Sequence, residues 1–319
     1  MVDLPKRKKD RPANLSSGFK YSIWDEGQLQ EFGINTRLKS VNTFWKYCIN
    51  HPDVTWDTLP WLKMNLPRDV ETIIKDNFHM LTTTIVQRED SKRGDTTKLL
   101  IELQDGHRVE TVVMRHKGHS TVCVSSQIGC KMGCKFCATG TLGIIGDLSA
   151  GEIVEQLKHA NAISPIRNVV FMGMGEPLNN YKNVKYAVQF MIDNRRFSLS
   201  PRHVTVSTVG VVSAMRKLTE DLGNVNLALS LHAPNQNVRL KIVPAAAAHH
   251  ITKLMDAVDY HIVKNTGEGM GNSEEIDFVR DLRDGNIDGL GAEIAAGPGS
   301  CSTSAGASAG EEAADAGAG

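Results

Sequence analysis

Three cysteines fall within eight residues: Cys130, Cys134 and Cys137, in the segment Gly129-Cys130-Lys131-Met132-Gly133-Cys134-Lys135-Phe136-Cys137. The spacing is C-x3-C-x2-C. Thiolates hold iron–sulfur clusters, and a [4Fe–4S] cube ordinarily takes four of them. A tight triplet directly after a strand can ligate three irons and leave the fourth open to chelate a substrate. Gly129, Gly133, Gly140 and Gly143 let the loop wrap such a group. The competing chemistry is a structural zinc site, which wants four closed ligands. No fourth Cys or His follows at short range, the nearest downstream being His159.

Further along, Met172-Gly173-Met174-Gly175-Glu176-Pro177 places glycines and a carboxylate just past an apolar run. Glycines at a strand's carboxyl end permit close backbone approach to a ligand, and Glu176 could accept from an ammonium group. An ordinary Gly-rich turn would read the same way. Ser207-Thr208-Val209-Gly210 and Ser230-Leu231-His232-Ala233-Pro234-Asn235 end two more apolar runs. Polar residues at successive strand ends converge on one face of an α/β barrel. His232 alone would as readily be a satisfied structural residue.

The elements that position these residues are legible as patterns. Strands are predicted at Thr121–Val124, Asn168–Met172, His203–Ser207 and Val225–Ser230. Helices are predicted from the Ser149/Glu152 capping box to about Ala162, near 183–193, through about Leu222, near 235–242 and over 251–264. Such alternation implies an α/β fold with a parallel sheet, open or barrel-like. Ahead of it, residues 81–119 read as a β segment with a hairpin turn at Asp105-Gly106. Residues 21–80 read as a small helical module, and residues 1–20, with Lys6-Arg7-Lys8-Lys9, as a disordered basic tail. The core is expected over 120–266. Residues 267–319 run into Ala, Gly, Ser and acidic residues that cannot bury a core.

The 319 residues carry 36 basic and 36 acidic side chains, so bulk charge names no partner. No window approaches the ~20 apolar residues of a membrane span. No secretory signal is visible, and a cytoplasmic protein is expected. Six cysteines in such a chain point to metal or redox chemistry rather than disulfides.

The triad, with Phe136 before its last cysteine, resembles the signature of the radical S-adenosylmethionine (SAM) enzymes. The further segments Cys123-Val124-Ser125-Ser126-Gln127-Ile128-Gly129-Cys130, Gly175-Glu176-Pro177, Val206–Val212 and Ser230–Asn235 resemble the dual-specificity methyltransferases of that family, over roughly residues 25–265. Those enzymes methylate C2 of an adenine in large-subunit ribosomal RNA and some transfer RNAs. The resemblance implies a partial radical-SAM-type (β/α) barrel with a [4Fe–4S] cluster on Cys130, Cys134 and Cys137. It implies SAM held by Gly175, Glu176, Ser207, Ser230, Leu231 and His232. It further implies a monomer and an electron donor such as a flavodoxin or ferredoxin. In that family one SAM methylates a cysteine on a C-terminal loop, and a second yields a radical that activates this methyl group. Cys123 then matches the cysteine that resolves the protein–RNA adduct, and Glu110 a glutamate proposed as proton acceptor.

Two departures stand out. The family's last strand–helix units have no clear counterpart after residue 266. Its Ile-Asp-x-x-Cys loop aligns with Ile287-Asp288-Gly289-Leu290-Gly291, so Gly291 stands where the methyl-carrying cysteine belongs. Cys301 is the one downstream cysteine that could replace it. An aberrant C-terminus is therefore expected. A cluster- and RNA-binding homologue without activity, or a methylase acting on adenine C8, are the alternatives.

Overall fold

A computed structural model describes residues 19–266. Cys301, Gly291 and the expected tails lie outside them, apart from Phe19 and Lys20; the backbone of Lys20 bonds to Gln104 and its side chain donates to the Lys75 carbonyl.

Seven strands form one sheet. They are β3 (Thr83–Asp90), β4 (Thr96–Leu103), β5 (Arg108–His116), β6 (His119–Cys123), β9 (Ile166–Phe171), β10 (Val204–Thr208) and β11 (Asn226–Leu229). The spatial order is β11-β10-β9-β6-β5-β4-β3. The strands β6, β9, β10 and β11 are mutually parallel, whereas β3, β4 and β5 form an antiparallel meander continuing onto β6. The sheet thus crosses the expected boundary at residue 119 without a break. Two short pairs flank it: β1 (Tyr21–Ser22) with β2 (Phe78–His79), and β7 (Gln127–Gly129) with β8 (Ile144–Asp147).

The crossover helices are α6 (Ala150–Asn161), α7 (Tyr181–Ile192) and α8 (Val212–Asp221), and α10 (Ile251–Thr266) follows the last described strand and packs on α8. A short α5 (Ala138–Thr141) and α9 (Gln236–Ile242) belong to loops. Helix α6 starts where the sequence predicts: Ser149 Oγ accepts from the Glu152 N–H, and the Glu152 carboxylate accepts from the Ser149 N–H. The hairpin turn also forms, with Gly106 at φ +80°. On β4, alternate residues Thr97, Leu99, Ile101 and Leu103 are buried, as a strand with one covered face requires.

The N-terminal module comprises α1 (Glu26–Glu31), α2 (Lys39–Asn50), α3 (Trp61–Met64) and α4 (Arg68–Asn77). It shares one continuous apolar core with the sheet: Trp24, Phe44, Trp45 and Phe78 belong to the same buried group as Val122, Val169 and Val206. Trp45 meets Phe190 edge-on at 5.1 Å. The buried Arg196 guanidinium stacks on Trp45 at 3.7 Å and donates to Asn42, Thr36 and Glu26. No helix among the described residues is long and apolar enough to cross a membrane.

A second buried joint is polar. The carboxylate of Glu155, on α6, accepts from Ser22 Oγ at 2.6 Å, from Thr82 N and Oγ1 at 2.9 Å, and from Thr83 Oγ1 at 2.6 Å. Thr83 Oγ1 also meets His159 Nε2 at 2.9 Å. Burial pushes Glu155 up to about 7, although its four donors pull the other way. A folded-state value above the unfolded one means that the folded protein holds the proton longer, so stability falls as pH rises from about 4.5 to about 7. The Glu155→Gln variant lacks that titration. The stability gap between wild type and Glu155→Gln, measured by urea unfolding at several pH values, is expected to narrow across that window.

Candidate active site

The four parallel strands deliver their carboxyl ends to one side, and every candidate among the described residues except Glu110 sits on a loop or strand end there. The cysteine loop, residues 130–143, is stapled at its base by the β7/β8 ladder. Cys130 N donates to Gly143 O at 2.9 Å. Gly129, at φ +76°, passes so close to Gly143 that a Cβ would lie 1.9 Å from the Gly143 carbonyl oxygen. No other residue fits there. At the loop's far side, Lys135 N donates to Ile242 O at 3.0 Å, tying it to α9.

Cys130 and Cys134 are buried with Met132, Val243 and Ala246, and Cys137 packs beside them. Burial pushes the Cys130 and Cys134 thiols upward, and the neighbouring thiols push further in the same direction. The three therefore feel one another electrostatically. Among the described residues no three His, Cys, Asp or Glu side chains gather as a single ion demands. A zinc ion needs all its sulfurs about 2.3 Å from one point. Thiolates of an iron–sulfur cube each take a different iron and need not converge. Three soft donors in an apolar nest, with Cys48 and Cys123 placed elsewhere, fit the cube.

Gly175, at φ +100°, follows β9, and a Cβ there would meet Gln127 Cβ at 2.5 Å. Glu176 is 3% exposed. Its Oε1 accepts from Leu178 N at 3.0 Å and its Oε2 from Val209 N at 2.9 Å. Its own N–H donates to Gln127 Oε1 at 2.9 Å, while Gln127 Nε2 donates to Asp147 Oδ1 at 2.6 Å. Burial raises the Glu176 carboxyl, and the amides beside it lower it. The carboxylate expected to await an ammonium group thus already clamps the β9 loop to the β10 loop.

Ser207 Oγ and Ser230 Oγ meet at 3.1 Å, at the ends of β10 and β11. Leu231 offers its carbonyl to Arg239 Nε at 3.2 Å. His232 has φ +62°, a conformation that costs energy away from glycine. Its ring packs on Phe136 at 4.5 Å, so it braces the cysteine loop. Burial holds the imidazole below its usual value.

Cys123 ends β6 and pairs with Val112 on β5 and Val170 on β9. Burial pushes its thiol up to about 11. Glu110, two residues before Val112, shares that face of the sheet, with Lys98 Nζ at 3.6 Å from its carboxylate. Sequence reasoning missed Gln127, the β7/β8 ladder and Arg239. The last is 1% exposed and carries a buried guanidinium.

The model of the radical SAM superfamily matches residues 124–299. Over 202 residues the chain is 40% identical to the probable dual-specificity RNA methyltransferase RlmN of Clostridium tetani, covering 63% of this chain and 58% of that protein. Over 225 residues it is 40% identical to the dual-specificity RNA methyltransferase RlmN 1 of Myxococcus xanthus, covering 69% and 62%. The chain spans less than two thirds of the length of these relatives. The crystal structure of a radical SAM methyltransferase from Sphaerobacter thermophilus superimposes with a TM-score of 0.69 at 29% identity, covering 84% of this chain and 82% of that one. The expected barrel-type α/β fold is thereby matched.

The Glu176 clamp is testable without any cofactor. Glu176→Gln turns one acceptor into a donor facing a backbone N–H. It is expected to cost roughly 1–3 kcal/mol, read as a lower urea midpoint with unchanged slope.

Proposed function

The chain belongs to the radical SAM superfamily, whose members use a [4Fe–4S] cluster and S-adenosylmethionine, and on that premise we propose that it methylates adenine in RNA at C2. The observation that carries this is the joining of the cysteine loop, the Gly175-Glu176 turn and the Ser207/Ser230 strand ends into one bonded unit, with Cys123 and Glu110 on the adjoining sheet face. Large-subunit ribosomal RNA is the leading substrate and transfer RNA the second. The relatives' names carry RNA methylation, and the residues matching the family's motifs carry C2. A cytoplasmic site of action and a flavodoxin- or ferredoxin-type electron donor go with this assignment.

Bound to three thiolates, the cluster supplies the electron that cleaves SAM and so opens radical chemistry at an unactivated carbon. The protein's own residues do the rest. Cys130, Cys134 and Cys137 would hold three irons. Gly175 lets its loop pack against Gln127, where nothing larger than glycine fits, and so fixes the turn that bears Glu176. The Ser207 and Ser230 hydroxyls present a paired donor and acceptor to a ribose or amino-acid group. Cys123 keeps its proton at neutral pH because burial disfavours the thiolate. It must give that proton up before it can act as a nucleophile. Glu110, on the same face of the neighbouring strand, is the carboxylate assigned to accept protons.

A second reading follows from Gly291, which stands where the methyl-carrying cysteine is expected. On that reading the chain binds the cluster and RNA without methylating it. The two separate in one assay: anaerobic reconstitution, then SAM with a deuterated methyl group, a reductant and unmodified ribosomal RNA. Labelled 2-methyladenosine together with 5′-deoxyadenosine is the expected outcome and places the carrier role on Cys301 or another group in the stead of Gly291. Deoxyadenosine without labelled RNA establishes the second reading. Label at C8 redirects the activity to that carbon. Neither product, from protein loaded with the cluster, overturns the assignment.

A further inference from the structure

Arg239 lies on α9, directly behind the cysteine loop. It is 1% exposed, a costly place for a guanidinium that cannot shed its proton. Two of its three nitrogens are used. Nε donates to Leu231 O at 3.2 Å, and Nη2 donates to Val209 O. Nη1 is buried and has no hydrogen-bond partner among the described residues.

The residues that hold and flank this guanidinium border the cysteine nest. Val209, whose carbonyl holds Nη2, packs against the group formed by Cys130, Cys134, Val243 and Ala246. Val243 is four residues along from Arg239 and donates its N–H to the Arg239 carbonyl at 2.8 Å. Lys135, next to Cys134, is bonded to Ile242 on the same helix. A negative charge on Cys134 favours the charged guanidinium, which burial otherwise opposes. Among the described residues Arg239 is in no ion pair with a carboxylate, and the charge that favours its guanidinium is that of Cys134. Buried charges in proteins are paired, and the anions this site acquires are thiolates.

We propose that Arg239 is the cation of the cluster site: its free Nη1–H donates to the Cys134 sulfur once that thiol becomes a thiolate ligand, and its charge eases reduction of the cluster. The inference rests on the triad carrying the superfamily's cluster. Three thiolates leave a [4Fe–4S]2+ cube with net charge −1, and reduction by one electron makes it −2. A fixed buried cation stabilises the second state more than the first. Burial, hydrogen bonds to sulfur and local charge are the recognised means by which proteins set such potentials. The guanidinium is also preorganised, because the carbonyls of Leu231 and Val209 fix its plane before the cluster arrives.

The test uses the full chain, reconstituted anaerobically, with iron and sulfide counted. In wild-type protein labelled with 15N-arginine, pulsed EPR of the reduced cluster is expected to show a guanidinium-nitrogen coupling before SAM is added. Absence of that coupling overturns the inference. So does a coupling that appears only with SAM, which would put the guanidinium on the SAM carboxylate. Redox titration followed by EPR gives the second readout. Arg239→Gln, checked for fold by circular dichroism, is expected to lower the reduced fraction at a fixed potential at least tenfold, equivalent to about 59 mV for one electron. Arg239→Lys, which keeps the charge, is expected to stay nearer wild type. A folded, fully loaded Arg239→Gln protein with less than a twofold change overturns the electrostatic role. The wild-type coupling decides the hydrogen bond even if both variants misfold. A wild-type chain that takes up no cluster overturns the cofactor assignment and this inference together.

Discussion

The site hangs on one buried carboxylate. Parallel strands end in loops that have lost their ladder partners, so the amides at those ends need other acceptors. Glu176 supplies two, one to Leu178 in its own loop and one to Val209 in the next. Through its N–H it also grips Gln127, which in turn grips Asp147 at the base of the cysteine loop. One residue therefore fixes the β9 end, the β10 end and the β7/β8 staple relative to one another. Burying a carboxylate is unfavourable unless its oxygens are bonded, and here each is. The same residue type would suit an ammonium ligand, but in this structure its first task is to hold the loops that a ligand would meet.

Local patterns in the sequence were enough for much of this fold. The capping box of α6, the Asp105-Gly106 turn and the strands around Val122, Val169, Val206 and Leu227 depend on neighbours a few residues apart, so periodicity exposes them. The cysteine spacing is local in the same sense. What escaped depends on distant partners. A three-residue strand such as Gln127–Gly129 has no period to read, and it exists because Gly143 and Asp147 return beside it. Arg239 looks like any helical arginine until Leu231, Val209 and the cysteine nest close over it. The helical module reads as an appendage because nothing in residues 21–80 announces that Trp45 will meet Phe190, or that Ser22 will meet Glu155.

What lies beside Cys123 on β9 depends on a defect in the ladder. Side chains alternate along a strand, so a one-residue slip would send a residue to the other face. On β6, Ser120 and Val122 are buried, as is Val124 just past its end, whereas Cys123 lies on the other face with Thr121. The β6–β9 pairing shifts between Ser120 and Thr121: Ser120 pairs with Ile166, but Thr121 pairs with Asn168, leaving Arg167 as the extra residue. That insertion lets Ile166 and Val169 both reach the core although they are an odd three positions apart. It also sets Cys123 beside Val170 rather than beside the core residue Val169. Val170 pairs onward with Thr205 on β10, and Val112 on β5 completes the row. Without the bulge, keeping Val169 in the core would break the match between the faces of β6 and β9. Cys123 shares a face with Glu110 through its pairing with Val112, and the looped-out Arg167 keeps β9 in step with that face.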